Sequence, residues 1–208
     1  MSLHPPDLHD GEAAVLAART AARAADEGVA EIAYALLDGP AGRLVAAATP
    51  RGLVRIAYEL ENGGLDAMLD AVAARLSPRI VEAPGRLDGV RRELDEYFEG
   101  RRRDFDVALD WGLVSSAFAR RVLQATIAIP YGSTSTYREV AGAAGSPNGY
   151  RAAGNALGAN PIPIVVPCHR VLASTGGLGG YTGGLHRKRL LLGIEGAGGE
   201  ELPLLSGP

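Results

Sequence analysis

Cysteine is almost absent from this sequence: its 208 residues contain one, Cys168. A single cysteine excludes an internal disulfide and any zinc site assembled from several cysteines. Long apolar runs are also missing, since no stretch approaches the roughly 18 consecutive apolar residues of a membrane span. The first ten residues contain two prolines and two aspartates, without the apolar centre of a signal peptide. These absences predict a cytoplasmic protein with no membrane partner.

Acidic residues are scarce in the second half of the chain. Residues 1–108 carry 13 Arg against 19 Asp and Glu, a net charge of −6. Residues 109–208 carry 8 Lys and Arg against 5 acids, a net charge of +3. Any contact with nucleic acid is therefore expected in the second half, with a modest and salt-sensitive affinity.

The first half of the sequence has the pattern of a small α/β unit. Turn residues at 38–42 and 50–52 divide the segment 32–60 into three short strands. Apolar residues spaced three and four apart predict a helix over 63–76, and a second helix is expected over 86–98. The remaining expectations are an Ala-rich helix at 11–27, a last strand at 105–110, an N-terminal extension at 1–28 and an α/β domain at 29–108.

The pattern changes to short helices in the second half. Residues 116–128 and 136–144 are predicted to be helical, and Ser146-Pro147 is expected to cap a third helix that ends near residue 159. Two short helices joined by a glycine-containing turn indicate a helix-turn-helix, although many such pairs bind nothing. We expect a C-terminal domain at 109–197 and a flexible tail at 198–208.

The third helix consists mostly of small residues. Its sequence, NGYRAAGNA over 148–156, contains one tyrosine and one arginine, Tyr150 and Arg151. Such a helix lacks the long polar side chains that distinguish base edges. It can still lie close against a DNA backbone or a shallow groove, which suits a protein that must bind any sequence.

A reactive site is predicted where an apolar, strand-like run ends in Pro167. Cys168, His169 and Arg170 follow at once, and a nucleophilic cysteine needs a cation or base close by to lower its pKa. Adjacent residues in regular structure point apart, so contact between Cys168 and His169 requires a bridging water or an irregular backbone. Glu195 ends the apolar run LLLGI, and it is either the acid that orients His169 or an ordinary surface acid.

The segment 160–196 carries three motifs. NPIPIVVPCHRV begins it, GGLGGYTGGL follows with six glycines between residues 176 and 184, and LLLGIEG ends it. The glycines indicate either a flexible loop or a backbone that approaches a flat ligand closely. Together with IPYGSTSTYREVA and GYRAAGNALGANP upstream, these motifs resemble those of the O6-alkylguanine-DNA alkyltransferases. The resemblance covers residues 90–196 well and the first half only in outline.

The resemblance implies an α+β fold. A small N-terminal α/β domain like that of ribonuclease H would precede a mostly helical C-terminal domain that contains the helix-turn-helix. It also implies a monomer whose partner is double-stranded DNA containing O6-alkylguanine. Neither a metal nor a cofactor is expected.

The same resemblance implies roles for five residues in the transfer of an alkyl group. Cys168 would accept the alkyl group, and His169 would take the thiol proton through a water. Glu195 would orient His169. Asn160 would brace the loop that carries the nucleophile, and Tyr137 would assist the departing guanine at a ring nitrogen.

Other positions match family residues that contact the base or the duplex. Arg151 matches the arginine that fills the gap left by a flipped nucleotide, and Tyr181 and Thr182 lie on the loop that closes over the base. The remaining matches are Val171, whose carbonyl is expected at the exocyclic amine, and the helix residues Tyr150, Ala152 and Gly154, which are expected at the DNA.

The chemistry fits this assignment. O6 of guanine lies within a stacked base pair, so the nucleotide must be flipped before a sulfur can attack in line. The thioether product has no route back, so each chain is expected to react once, with O6-alkylguanine and also with O4-alkylthymine. Two alternatives stay open. One is a damage-binding relative of the kind that lacks the cysteine and does not catalyse, and the other is a Cys-His-Glu hydrolase or acyltransferase that turns over repeatedly.

Overall fold

A four-stranded sheet forms the N-terminal part of the chain in the computed structural model, which describes residues 10–60 and 63–197. Its strands are β1 (Ile32–Leu37), β2 (Leu44–Thr49), β3 (Gly52–Tyr58) and β4 (Ile80–Glu82). They lie in the order β3-β2-β1-β4, with β1 parallel to β4 and the other neighbours antiparallel. The three predicted strands are confirmed. The three-residue β4 was not predicted because so short a strand leaves little alternation to recognise.

Three helices accompany this sheet, and all three were predicted. They are α1 (Asp10–Asp26), α2 (Gly64–Arg75) and α3 (Asp88–Phe98), the last preceded by a 3-10 turn over Pro84–Leu87. Met68 and Val72 of α2 pack on one face of the sheet against Val45 and Val54. The other face packs on α3, and its apolar cluster continues without a break into the second half of the chain. One core therefore joins the two halves.

The prediction of a strand at 105–110 is wrong. Leu109 forms only an isolated bridge to Leu53 on β3. The Asp110 side chain then accepts from the N–H of Gly112 at 2.9 Å and caps a 3-10 turn, Trp111–Leu113. Pairing cannot extend because the chain turns away at this cap.

Four helices build the C-terminal part. They are α4 (Ala117–Ile127), α5 (Tyr137–Ala143), α6 (Tyr150–Gly158) and α7 (Leu185–Ile194). Two residues each of β5 (Ser135–Thr136) and β6 (Val171–Leu172) pair in parallel beside them. The mixed N-terminal domain followed by a helical domain is the predicted fold class, and α7 was not predicted. Among the described residues, no helix has the length and apolar character needed to cross a membrane.

The start of α6 corrects one prediction. Ser146 was expected to cap this helix, but α6 begins only at Tyr150, after Gly149. The reason lies in the preceding helix. Gly145, at a φ of 81°, closes α5, and the N–H of Ser146 donates to Ala141 O at 2.8 Å, the pattern of a Schellman motif. The backbone of Ser146 thus completes α5, and its carbonyl accepts from the N–H of Gly149 at 2.8 Å in a turn that precedes α6.

The segment before Cys168 corrects another prediction, since the strand-like run is irregular and fully buried. Its only bridge is an isolated one between Pro163 and Val166. Ile164 adopts a left-handed backbone conformation with a φ of 76°, which is rare for a β-branched side chain. Regular pairing fails because three residues of the run lack an N–H to donate: Pro161, Pro163 and Pro167.

Asn160 supplies the hydrogen bonds that a sheet would otherwise provide to this segment. Its side-chain oxygen accepts from the N–H of Ile162 at 3.0 Å, and its amide nitrogen donates to Val166 O at 2.9 Å. The N–H of Ile56 on β3 donates to Pro161 O at 2.8 Å. The nucleophile's loop is thus attached to the N-terminal sheet at its beginning and folded around Asn160 along its length.

The capping box at the start of α5 gives a prediction about stability. Thr136 Oγ1 accepts from the N–H of Glu139, and the Glu139 carboxylate accepts from the N–H of Thr136 at 2.8 Å. Thr136→Ala should lower the free energy of unfolding in urea by about 1 kcal/mol because a helix N–H loses its acceptor. Ser135→Ala removes only an exposed hydroxyl on the same carboxylate, and it should change stability by less than about 0.5 kcal/mol. Equal effects would contradict the capping role.

Candidate active site

A cavity of about 250 Å³ lies between α5, α6 and the glycine-rich loop, with Cys168 on its wall. It brings together five of the residues predicted from the sequence: Tyr137, Gly154, Cys168, Tyr181 and Thr182. A second cavity of about 440 Å³ adjoins it along Tyr137 and Gly154 and extends to Tyr150 and Arg138. The two cavities therefore share Tyr137 and Gly154 in their walls, and Cys168 lines the smaller one.

Cys168 is the first residue of a 3-10 turn that also contains His169 and Arg170. The thiol is buried, and the side-chain nitrogen of Asn160 lies 3.2 Å from its sulfur. Burial raises the pKa of Cys168, while the Asn160 hydrogen bond and the charge of Lys188 act in the opposite direction. The sequence suggested a lowered pKa, but burial dominates. The resting protein therefore holds a thiol, whose proton must leave during the reaction.

His169 and Glu195 form a buried pair, with 2.7 Å between the His169 Nε2 and a carboxylate oxygen of Glu195. Both side chains are completely shielded from solvent, so Glu195 is not a surface acid. Burial is the largest influence on the pKa of His169 and lowers it below its ordinary value. Because an ionised carboxylate only accepts, Nε2 carries the hydrogen and Nδ1 of the neutral ring is the acceptor. That Nδ1 has no hydrogen-bond partner among the described residues.

Glu195 is held by donors from both halves of the chain. Arg170 donates to both carboxylate oxygens at 2.8 and 3.0 Å. The hydroxyl of Tyr97, on α3, donates to Oε1 at 2.7 Å, and the N–H of Gly132 donates to Oε2 at 3.3 Å. Burial by itself would raise the pKa of Glu195, but the hydrogen bonds from His169, Arg170 and Tyr97 outweigh it and lower the pKa to about 2. The residue is therefore a carboxylate throughout the working range of pH.

Lys188 on α7 is a buried cation that the sequence analysis did not single out. Its ammonium group donates to the carbonyls of Val171, Leu178 and Gly180, and burial lowers its pKa to about 8. These bonds tie the glycine-rich loop and the predicted substrate residue Val171 to the helix that ends at Glu195. Lys188 lies in the basic stretch HRKR in the N-terminal half of α7, and this local pattern does not distinguish it from Arg187 and Arg189.

Tyr137 begins α5 and contacts the glycine-rich loop from the opposite side. Its hydroxyl accepts from the N–H of Gly180 at 3.2 Å. A Cβ at Gly179 would lie 2.7 Å from this hydroxyl, and the backbone there has a φ of 67°, so only glycine fits. The glycines at this point allow close approach to the tyrosine.

The N-terminal domain holds the far end of the same loop. The hydroxyls of Tyr58, on β3, and Tyr181 lie 3.0 Å apart. The Arg187 guanidinium stacks 4.2 Å from the centroid of the Tyr58 ring and donates to Ala41 O and Gly183 O. Thr182 donates from its hydroxyl to Gly158 O at the end of α6. The loop is therefore fastened at several points along its length.

The predicted DNA-binding residues lie on α6 and do not all face the cavity. Arg151 and Ala152 are exposed, and the Arg151 guanidinium lies 5.8 Å from the ring centroid of Tyr150. Arg138 of α5 lies on the same ring at 5.6 Å. These two arginines form a basic surface around Tyr150, beside the mouth of the cavity.

The described residues contain no group of three or more His, Cys, Asp or Glu placed to hold a metal ion. Three residues of the site were missed by sequence reasoning: Tyr97, Arg170 and Lys188. Arg170 had a signal, since it follows His169 directly. Tyr97 had none, because it lies 98 positions from Glu195 in the sequence and only folding brings the two together.

The buried carboxylate of Glu195 gives a prediction about stability and pH. Its pKa is about 2 in the folded protein against 4.5 without the fold. The stabilisation is complete above the unfolded value and is lost as the pH falls through the folded value, because protons then bind first to the unfolded chain. This carboxylate should therefore account for a loss of about 3 kcal/mol of unfolding free energy between about pH 5 and about pH 2.

Urea unfolding at a series of pH values measures this loss. In Glu195→Gln the group cannot titrate, so the difference in stability between wild type and variant should shrink as the pH falls. A difference that stays constant with pH would mean that Glu195 is not the titrating group.

Comparison with known proteins agrees with this geometry. Residues 32–111 match the family description "6-O-methylguanine DNA methyltransferase, ribonuclease-like domain", and residues 117–197 match "6-O-methylguanine DNA methyltransferase, DNA binding domain". A methylated-DNA–protein-cysteine methyltransferase of Mycobacterium bovis is 48% identical over 112 residues, which are 54% of this chain and 67% of that protein. The inducible methylated-DNA–protein-cysteine methyltransferase of Bacillus subtilis is 40% identical over 116 residues, 56% of this chain and 64% of that protein.

Solved structures give the same result. The crystal structure of Mycobacterium tuberculosis OGT in complex with DNA is 38% identical and aligns with a TM-score of 0.68, covering 79% of this chain and 93% of that one. The structure of M. tuberculosis O6-methylguanine methyltransferase is 37% identical, also with a TM-score of 0.68, covering 82% of this chain and 97% of that one. This chain belongs to the 6-O-methylguanine DNA methyltransferase family.

Proposed function

We propose that this protein repairs O6-alkylated guanine in double-stranded DNA by moving the alkyl group irreversibly to the sulfur of Cys168. The observation that carries the proposal is the placement of Cys168 on the wall of a cavity beside α6, with the His169–Glu195 pair buried behind it. Membership of the family supports the same reaction. Nucleophile and proton acceptor are both side chains, so the transfer uses no metal or cofactor.

DNA approaches the exposed side of α6. Its small residues, including Ala152 and Gly154, let the helix lie close to the duplex, while Arg151 and Tyr150 provide the charge and the ring at its start. The target nucleotide leaves the stack and enters the cavity, which costs a few kcal/mol. Arg151 takes the space that the nucleotide leaves.

The flipped base is held between α5 and the glycine-rich loop. Tyr181 and Thr182 close over it, with the N–H of Thr182 directed to O6. The carbonyls of Cys168 and Val171 accept from the exocyclic amine. Lys188 already bonds to the Val171 carbonyl, whose second lone pair stays available.

The transfer is a displacement at the alkyl carbon. The thiol proton of Cys168 passes through a water to Nδ1 of His169, which has no other partner among the described residues. The sulfur forms a bond to the alkyl carbon as the bond from that carbon to O6 breaks, and the electron pair goes to the guanine. The Tyr137 hydroxyl supplies a proton at a ring nitrogen and then regains one from solvent. Glu195 stabilises the imidazolium that His169 has become until its proton returns to solvent.

The product is a thioether on Cys168 and an unmodified guanine. The chain reacts once because the thioether has no chemical route back to a thiol, and the sequence contains no other cysteine to react in its place. O4-alkylthymine presents the same alkyl–oxygen bond and is a second substrate. The protein acts as a monomer in which a domain at 29–108 supports an active-site domain at 109–197, whereas the tail predicted at 198–208 and the first nine residues lie outside the described part.

Stoichiometry tests this function against the alternatives. Incubation with a duplex oligonucleotide containing O6-methylguanine should add one methyl group to each chain, at Cys168, as measured by mass spectrometry of the intact protein and its peptides. Cys168→Ala should bind the same duplex and gain no mass. Binding without any mass gain in the wild type would indicate a damage-binding protein. Repair of more than one equivalent of DNA would indicate a catalyst that turns over.

Arg151 allows flipping to be separated from chemistry. With Arg151→Ala at saturating protein, the rate of transfer from duplex should fall by about two orders of magnitude, because the energy that holds the nucleotide out is lost. Reaction with free O6-benzylguanine needs no flipping and should stay within about threefold of wild type.

The control for this variant is Arg189→Ala, which removes the same charge from an exposed position on α7. It should leave both rates unchanged. If Arg151 contacts only a phosphate, the variant should instead bind duplex more weakly but transfer at the normal rate at saturating protein. The slope of log affinity against log salt concentration should then become shallower by about one. That result would remove Arg151 from the flipping step.

A further inference from the structure

We infer that Tyr97, on α3 of the N-terminal domain, is a positioning residue for alkyl transfer, because its hydroxyl fixes the carboxylate oxygen that orients His169. This inference rests on the proposed function. The Tyr97 oxygen lies 2.7 Å from Oε1 of Glu195, and the His169 Nε2 lies 2.7 Å from the same atom. Tyr97 is completely buried. The inference thus assigns part of the reaction's machinery to a domain with no residue in the His169–Glu195 pair.

The hydroxyl of Tyr97 acts only as a donor. Burial and the charge of Glu195 raise the pKa of Tyr97 far above its ordinary range, so the phenol stays protonated wherever the protein is folded. A carboxylate oxygen offers no hydrogen in return. Tyr97 is therefore always the donor in this hydrogen bond. It is an uncharged donor, whereas Arg170 brings a full positive charge to the same carboxylate.

Three donors converge on Oε1, which has two lone pairs. Tyr97 and His169 are at 2.7 Å, and the Arg170 terminal nitrogen is at 3.0 Å. The two short bonds define the position of the oxygen, and the longer one adjusts to it. Without Tyr97, Oε1 would be free to move toward Arg170, and the imidazole would lose its fixed direction relative to the sulfur.

The position of Tyr97 is itself set by ring packing across the domain boundary. Its ring contacts Phe98 and Phe105, with centroids 5.6 and 5.4 Å away, and Tyr131 of the second half at 6.2 Å. Removing the hydroxyl leaves this packing in place. Tyr97→Phe is therefore a substitution that deletes one hydrogen bond and retains the ring.

Tyr97→Phe should slow transfer from O6-methylguanine duplex about tenfold in single-turnover assays at saturating protein. In the pH–rate profile of this variant, the fall in rate on the acid side should move to higher pH by about half a unit. Oε1 becomes more basic when it loses a donor, so His169 holds its proton more tightly and is neutral over a narrower range. The other charged or titratable groups around this pair, Arg170, Lys188, Tyr131, Tyr181 and Cys168, are unchanged in the variant.

The matched control is Tyr131→Phe. Its hydroxyl donates to the backbone carbonyl of Ile194 at 2.8 Å, so the variant loses a tyrosine hydrogen bond in the same cluster but none to the carboxylate. It should keep the wild-type rate within about twofold and the wild-type pH profile. Unfolding in urea measured on both variants separates a loss of stability from a loss of rate.

Combination with Glu195→Gln distinguishes positioning from general support of the fold. If Tyr97 acts through Glu195, adding Tyr97→Phe to Glu195→Gln should slow transfer no further. A wild-type rate and pH profile in Tyr97→Phe would overturn the inference, as would a slowing that is fully additive with Glu195→Gln and leaves the profile in place. If the wild type itself gains no methyl group, the proposed function fails instead.

A second variant keeps the test open if Tyr97→Phe does not fold. Incorporation of 3-fluorotyrosine at position 97 makes the hydroxyl a stronger donor with almost no change in shape. The fall in rate on the acid side should then move to lower pH, opposite to the shift expected for phenylalanine. No shift in this folded protein would overturn the inference.

Discussion

The carboxylate of Glu195 is the constraint on which the rest of the site depends. An ionised group without exposure to solvent costs several kcal/mol unless its charge and its lone pairs are both satisfied. Arg170 supplies the opposite charge, and Tyr97, Gly132 and His169 supply further donors. Satisfying this one anion fixes the end of α7, the turn that carries the nucleophile and the approach of α3. Its bonds add a polar contact between the two domains to the apolar core that they share.

Apart from the Lys188 ammonium, the groups around Cys168 carry little net charge at rest. Glu195 and Arg170 neutralise each other, burial favours a neutral His169, and burial favours a protonated Cys168. Separation of charge is therefore postponed until a substrate is present to give its alkyl group to the sulfur. Lys188 is the one buried cation without a carboxylate beside it among the described residues, and it is satisfied by loop carbonyls. Its charge lies near the sulfur, where it favours the thiolate that forms on attack.

Local patterns in the sequence predicted the elements whose shape is decided locally. The three strands between glycine and proline turns, the helices other than α7 and the chemical residues near Cys168 were accessible in this way. Elements whose shape depends on competition between two possible structures could not be predicted in this way. Ser146 has the sequence of a helix cap but is used to close the preceding helix, and the run ending at Pro167 is apolar enough for a strand but has too few N–H groups. Tyr97 is beyond any local pattern, because its partner comes from the other domain.

Ile164 has a consequence for attempts to move this chemistry to another protein. A β-branched residue at a φ of 76° costs about 1–3 kcal/mol, which only the surrounding packing can offset. An isolated peptide containing PIPIVVPCHRV would relax to another backbone shape, and its cysteine would lose the amide contact of Asn160. The motif alone therefore does not carry the reactivity of Cys168 to another protein. A designer who wants its reactivity must transfer, together with the loop, the apolar core that contains Ile164, which draws on both halves of the chain.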